Sequence, residues 1–504
     1  MKRCGSCGRE LKMRPFSALS NTCEHCGQSR YSKAHDTRVA KAKLILLGFG
    51  VCVILDILAG IPAIISVPLL LVPFSAFVCF RYDPLKDAPD EEQDVKRETD
   101  ESSAGCDVPR ASIGNRLMLL ALSLLVAAAI WIPAVHLPFK PQLPPPTSEA
   151  AVEPLAEGLA AAQVRLWVDP ALRKIEVDKM RSANAEWDFM GRSFLVWALA
   201  ERCLHQPELK AEYLPVMDRI IDHTLQTERD EGLYHFLMPY ARRGPFVQQP
   251  PRSQFLDGEI SLMLGVRCLI EDKPEYRPLL AGRVETILRR MKASPVLCTE
   301  SYPDECWMFC NTVALAAVRV ADKVQGTDNS DFFRQWVKTA KENLVHEGTG
   351  LLVSSFTYDG QPLDGPEGSS IWMSAHCLRL IDEEFARDQY RRARKEIGVS
   401  ACGMAYAREW PESWQSPMDV DSGPIIPILD ASAGSSGLAF VAARSFDDRE
   451  YFQALQTSVD FAGFPIEEGG RLKYAASNQV GDAVLLYSAV LGPVWEKVQE
   501  EAPR

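Results

Sequence analysis

The sequence predicts an all-α protein: a C-terminal (α/α)6 toroid or barrel, preceded by three transmembrane helices and a small N-terminal zinc ribbon. Three observations predict it. Four cysteines near the N-terminus fall in two CxxC pairs, and long runs with hardly a charge follow them. Beyond residue 150, helices apolar on nearly every face alternate with amphipathic, charged ones.

"CGSC" at 4–7 and "CEHC" at 23–26 open the chain. Each turn brings two thiolates to one tetrahedral zinc ion, so Cys4, Cys7, Cys23 and Cys26 close a four-sulfur shell. A closed shell leaves no place for a reacting water, so this zinc is structural and the ribbon occupies residues 1–40. Residues 44–80 carry one charge, Asp56, over a length too great for one span of about 20 residues but sufficient for two short ones. With "AGIP" at 59–62 as the turn, a transmembrane hairpin is predicted over 41–82; Asp56, near the turn and without an ionisable partner, reads as interfacial. Residues 83–116 are an acidic linker, 117–139 a third span without Asp, Glu, Lys or Arg, and 140–150 a stiff Pro-rich spacer. The basic residues before Leu44, with Arg81, Arg110 and Arg116, favour a cytoplasmic ribbon and linker. Three crossings then put residues 151–504 outside, in a periplasmic or other extracytoplasmic space, with membrane lipid as a partner. The N-terminus lacks the basic-then-apolar pattern of a cleavable signal peptide.

Composition narrows the function. A formal net charge of -12 argues against nucleic acid as a partner, because phosphate attraction needs a basic surface. Of the 14 cysteines, those beyond residue 200 are odd in number, so a complete disulfide framework is not expected there.

In the C-terminal region, runs apolar all round begin near Trp187, Gln254, Asn311, Ser370, Ala433 and Gln479. Charged amphipathic helices follow near 208–227, 274–293, 330–345, 384–397 and 448–461. Buried helices alternating with exposed ones predict two concentric rings, with helices between 150 and 182 supplying the sixth outer member. The inner helices then converge on a central cavity with their polar heads: Asp188 in "EWDFMGRSF", Asp257 and Glu259 in "SQFLDGE", Asp304, Cys306 and Cys310 in "SYPDECWMFCN", and "KYAASNQVGD" with Tyr474 before the sixth. Asp188 has two readings, as a helix cap or as an acid or base facing the cavity. His235, His346 and His376 have no metal-ligand spacing, so no catalytic metal is expected, and His376 reads as a core histidine.

"EWDFMGRSF", the "CN" at 310–311, "GSSIWM" at 368–373, "RDQYRRAR" at 387–394 and "GPVWEKV" at 492–498 resemble the linalool dehydratase/isomerase family over roughly residues 180–500. The resemblance implies an (α/α)6 barrel and cofactor-free chemistry: reversible dehydration of linalool to myrcene and isomerisation to geraniol, in the bacterial periplasm. It assigns catalytic roles to Asp188 and Cys310. It also marks departures: Phe194 stands where the family has a tyrosine, the catalytic histidine is replaced around Asp257, and a second cysteine falls on Ser301.

Dehydrating an allylic alcohol needs a donor to protonate the leaving hydroxyl and an acceptor for a proton from a neighbouring carbon, within walls that exclude bulk water. Asp188, desolvated at an apolar helix head, is expected to have a raised pKa and to hold a proton near neutrality. Cys310, before a helix N-terminus, is expected as a thiolate base, with Asp257 as a further catalytic carboxylate. Phe194, Tyr302, Trp307, Phe309, Trp372 and Tyr474 are the expected walls for a small apolar substrate, their ring faces stabilising positive charge. Two other readings stay open: a carbohydrate-active enzyme with paired carboxylates, Asp188 with Asp257 or Glu259, and a non-catalytic ligand-binding membrane protein. Substrate identity and homo-oligomerisation are not fixed by the sequence.

Overall fold

The computed structural model describes residues 2–3, 10–11, 149–401, 403–414, 422–423, 425–426 and 429–500. Two compact units divide between Lys140 and Pro141. In the first, β1 (Lys2–Arg3) pairs antiparallel with β2 (Glu10–Leu11), Lys2 opposite Leu11. The four zinc-ribbon cysteines, the apolar spans and the acidic linker lie outside the described residues. Among the described residues no helix is long and apolar enough to cross a membrane.

The second unit is helical. A Pro at the first turn and an Asp169 side chain accepting from Ala171 and Leu172 N–H start α2 (Pro170–Ala183), which follows α1 (Glu149–Val168). Asn184 caps α3 (Ala185–His205) in the same way. The charged helix α4 (Lys210–Glu231) precedes α5 (Gln254–Ile270), and α6 (Arg277–Ala293) precedes α7 (Met308–Gln325). Helices α8 (Ser330–Asn343), α9 (Gly368–Leu378), α10 (Glu383–Glu396), α11 (Ala433–Ser445), α12 (Arg449–Ala462) and α13 (Gln479–Val490) continue the alternation. The short α14 (Pro493–Gln499) ends it.

Packing closes the circle. Around the inner ring α3 contacts α5, then α7, α9, α11 and α13 follow in turn, and α13 returns to α3. Outside, α4 packs on α3 and α5, α6 on α5 and α7, α10 on α9, α12 on α11, and α1 on α13, the place foreseen for the 150–182 segment. Five of the six inner helices bury nearly every side chain, which is why their sequences lack a polar face. The backbones of α5 and α7 approach closely at Gly258, where a Cβ would stand 3.1 Å from the Ala314 Cβ and 3.2 Å from its backbone nitrogen.

Short hairpins decorate the ring and were not foreseen, since strands of two to four residues are too brief for periodicity to reveal. They are β3 (Cys306–Trp307) with β4 (Ser355–Phe356) and β5 (Pro362–Asp364), β6 (Gly398–Ala401) with β7 (Met404–Ala407), β8 (Ile425–Ile426) with β9 (Ala431–Ser432), and β10 (Pro465–Glu468) with β11 (Arg471–Tyr474).

At the C-terminal end of the ring, α14 lies across the opening. Val494 N–H donates to Glu201 of α3 at 2.7 Å, the Trp495 ring stacks on His376 of α9 at 4.6 Å, and Gln499 reaches the Arg379 carbonyl. His376 is a bonded core histidine: its ring nitrogens contact Ser445 Oγ and Tyr487 Oη.

Candidate active site

The inward stripe of α3 runs Glu186, Met190, Phe194, Trp197, Glu201, spaced by three or four residues as one helix face requires. Phe194, Trp197 and Tyr487 of α13 form an aromatic triangle with centroids 4.8 to 5.8 Å apart. Glu186 sits at the half-buried mouth, where the Tyr302 hydroxyl donates to it and Met238 N–H donates to Tyr302 at 3.0 Å. Tyr240 stacks on Tyr302 at 4.5 Å and shares Glu305 with the half-buried Trp307.

Below this rim lies Glu259 of α5, 0% exposed. Ser193 Oγ donates to its Oε2, while Oε1 has no partner among the described residues. Burial pushes its pKa up to about 8, the Ser193 hydrogen bond opposing and the Glu186 charge adding to the shift. At neutral pH it is a carboxylic acid. The Glu259 carboxyl acts electrostatically on the buried Cys310 of α7. Ser301 faces the Cys310 sulfur, and its hydroxyl has no other partner among the described residues.

The structure places Cys310, Tyr302, Trp307 and Phe194 around Glu186 and Glu259, leaves Phe309 buried at the head of α7 with its backbone N–H on Ser370, and places the other sequence candidates elsewhere. Asp188 lies on the outer side of α3, clasped by Arg192 through Nε at 2.8 Å and Nη2 at 3.0 Å, with Arg181 at 3.5 Å. The bidentate guanidinium holds this carboxylate in an ion pair on the outer side, so Asp188 is not placed as the proton donor expected of it. Asp257 likewise faces outward, bonded to Arg252 and, at 2.7 Å, to Arg283 of α6. Trp372 points into the outer layer, with its ring 6.0 Å from Tyr390 and 6.1 Å from Tyr451. Tyr474 also belongs there, its hydroxyl bonded to Asp460 and Gln456. Cys310 is corrected in its protonation state: burial, augmented by Glu259 and Glu186, holds its thiol well above the usual range and outweighs the helix dipole that argued for thiolate. Glu186 was missed, and Glu259 was given only a secondary place; each lies two residues from an aspartate that drew notice instead.

The fold and site define a helical barrel with a buried protonated carboxyl on its inner wall. Residues 280–480 match the family model for linalool dehydratase/isomerase, which shows the resemblance over that stretch, with the motifs at 310–311, 368–373 and 387–394 inside it and those at 186–194 and 492–498 outside. The match includes Ser301, Tyr302 and Cys310; Glu186, Ser193 and Glu259 precede it. Among solved structures, the chain is similar to a GH76 alpha-mannanase from Bacteroides thetaiotaomicron (12% identity, 61% of this chain and 86% of that one, TM-score 0.41). It is similar also to the GH76A alpha-1,6-mannanase of Salegentibacter sp. HEL1_6 (12%, 66% and 98%, 0.42) and to the unsaturated glucuronyl hydrolase of Bacillus sp. GL1 (13%, 61% and 86%, 0.39).

Proposed function

We propose that the C-terminal unit is a lyase or isomerase that moves protons on a small, largely apolar alcohol or alkene of terpenoid type. The observation that carries this reading is Glu259, a buried acid with one oxygen bonded to Ser193 and the other free, beside Cys310 and above an aromatic floor. Glu259 gives its proton to the leaving hydroxyl, the C–O bond breaks, and its electron pair departs with water. The allylic cation that remains is stabilised by the ring faces of Phe194 and Trp197. Glu186, held by the Tyr302 hydroxyl, accepts the proton from the neighbouring carbon, and the C–H pair becomes the new double bond. Reversal hydrates the alkene. The Cys310 thiol and Ser301 hydroxyl hydrogen-bond the leaving oxygen.

Turnover by the full-length, reduced protein across a panel of terpenoid alcohols and alkenes tests it. Glu259→Gln is expected to lose at least about 100-fold in kcat, the usual contribution of a positioned acid; full activity in that variant would end the proposal. A carbohydrate-active reading is favoured by one observation, the two carboxyls Glu186 and Glu259 on adjoining inner helices. Hydrolysis of glycosides, lost in both Glu→Gln variants, would select it.

For the N-terminal unit we propose a structural zinc held by Cys4, Cys7, Cys23 and Cys26, and membrane anchoring by three spans with the barrel outside. Metal analysis giving less than one zinc per chain, or a C-terminal reporter active only in the cytoplasm, would refute these in turn.

A further inference from the structure

Outside the inner ring, between α1, α2, α3 and α4, lies a cluster of positive charge that the reaction above does not use. Arg173 and Arg192 stand on one indole, their guanidinium carbons 5.2 and 5.4 Å from the Trp167 ring centroid. Arg192 spends two nitrogens on Asp188 and donates from the third to His223 Nδ1 at 2.9 Å. A guanidinium only donates, so His223 Nδ1 accepts and its proton sits on Nε2. Arg181 donates to the His235 carbonyl at 2.9 Å, and Arg219 to that of Trp167 at 2.8 Å.

Arg192 and Arg181 therefore engage both oxygens of one carboxylate, Asp188, while Arg173 and Arg219 stand close enough to act on one another. Arg173 makes its ring contact but has no carboxylate within ion-pair distance among the described residues. Besides Asp188, the exposed Glu231 acts on His235, and Glu176 and Asp222 stand one turn from Arg173 and Arg219 without pairing with them at ion-pair distance among the described residues. The mutual repulsion is legible in the protonation equilibria. Arg173 is lowered by burial and then by Arg192 and Arg219, and His223 falls to about 4 through burial and then Arg192 and Arg173. Like charges this close at a half-buried site are costly without a counter-ion. Arg173, Arg181, His223 and Thr227 keep partial exposure, so the cluster is open to solvent.

We propose that this cluster binds a phosphate group, with the Arg173 fork as the principal ligand and the neutral His223 as a second donor. Guanidinium forks match the geometry of phosphate oxygens, and the anion would give Arg173 the direct partner that it lacks among the described residues.

The test compares inorganic phosphate with chloride at equal ionic strength, pH 7, on the detergent-solubilised full-length chain. Phosphate is expected to raise Tm saturably. Arg173→Gln is expected to weaken phosphate binding about tenfold, the worth of one charge-assisted contact, and in chloride to melt no lower than the parent, because a repelled cation has been removed. Lys174→Gln, next door but paired with Asp178, should change neither. No saturable rise, an unaltered affinity in Arg173→Gln, or a lower Tm for that variant in chloride would each overturn the proposal, the last being the mark of a purely structural cation. Arg173-dependent binding of glycerol phosphate assigns a free ligand. Arg173-dependent binding only to mixed micelles containing phosphatidic acid assigns a lipid headgroup, and binding to neither overturns the site.

Discussion

A helix turns about 100° per residue, so Glu186 and Asp188 point to opposite sides of α3, and Asp257 and Glu259 to opposite sides of α5. Sequence reasoning located the right helix heads but not the phase, because a helix buried on every side offers no polar stripe to set it. A local signal did exist: Arg192 stands four residues after Asp188, the spacing of an intrahelical ion pair. The two acids should separate experimentally. Asp188→Asn leaves Arg192 buried without its charge partner and is expected to cost roughly 3 kcal/mol, read by denaturant unfolding. Glu259→Gln replaces a protonated carboxyl by a neutral amide of the same shape that cannot ionise on unfolding, so stability near pH 7 should rise while turnover falls. The pH profile follows from the sign of the shift. The folded-state pKa is raised from 4.5 to about 8, so the acid form survives up to that value, and kcat/KM should decline above about pH 8; a rate that rises through pH 9 would contradict Glu259 as the donor.

The elements were more legible than the residues. Inner and outer helices appear where polarity placed them, since the difference between a helix buried all round and one buried on a stripe is written in every turn. What the alternation could not show was how closely neighbours approach. At Gly258 the added methyl of Gly258→Ala would press on the backbone of α7, which cannot rotate aside. A loss of about 1–3 kcal/mol is expected, with activity impaired through displacement of Glu259 on the next residue; an unchanged Tm would show the α5–α7 contact to be looser than described. Cys310 illustrates a contest between element and environment. A helix N-terminus contributes under about 1 kcal/mol toward the thiolate, less than burial beside two carboxyls removes. Its alkylation by iodoacetamide at pH 7.5 should therefore lag far behind that of free cysteine.

For the molecule as a whole, ring closure was foreseeable from six apolar runs, but the cover of α14 was not, because seven residues of "PVWEKVQ" give no hint of what they lie across. Its attachment is sensitive to pH. Glu201, fully buried and accepting N–H from Val494 and Gly492, has its pKa raised from 4.5 to about 8, with burial the chief cause. Unfolding, or release of α14, lets this group ionise at its ordinary value. The closed state therefore binds the extra proton between about pH 4.5 and 8, and its stability falls as pH rises through that window, by a few kcal/mol in all. Glu201→Gln should flatten the decline, seen as a smaller difference in Tm between pH 5 and pH 8.

With α14 packed on Glu201 and His376, the ring is closed at that end and is not a pipe. On the proposed reaction, incoming and outgoing molecules would both pass the Glu186 end, so accumulating product would obstruct its own replacement. A substrate longer than the ring is deep would then leave its tail standing in water.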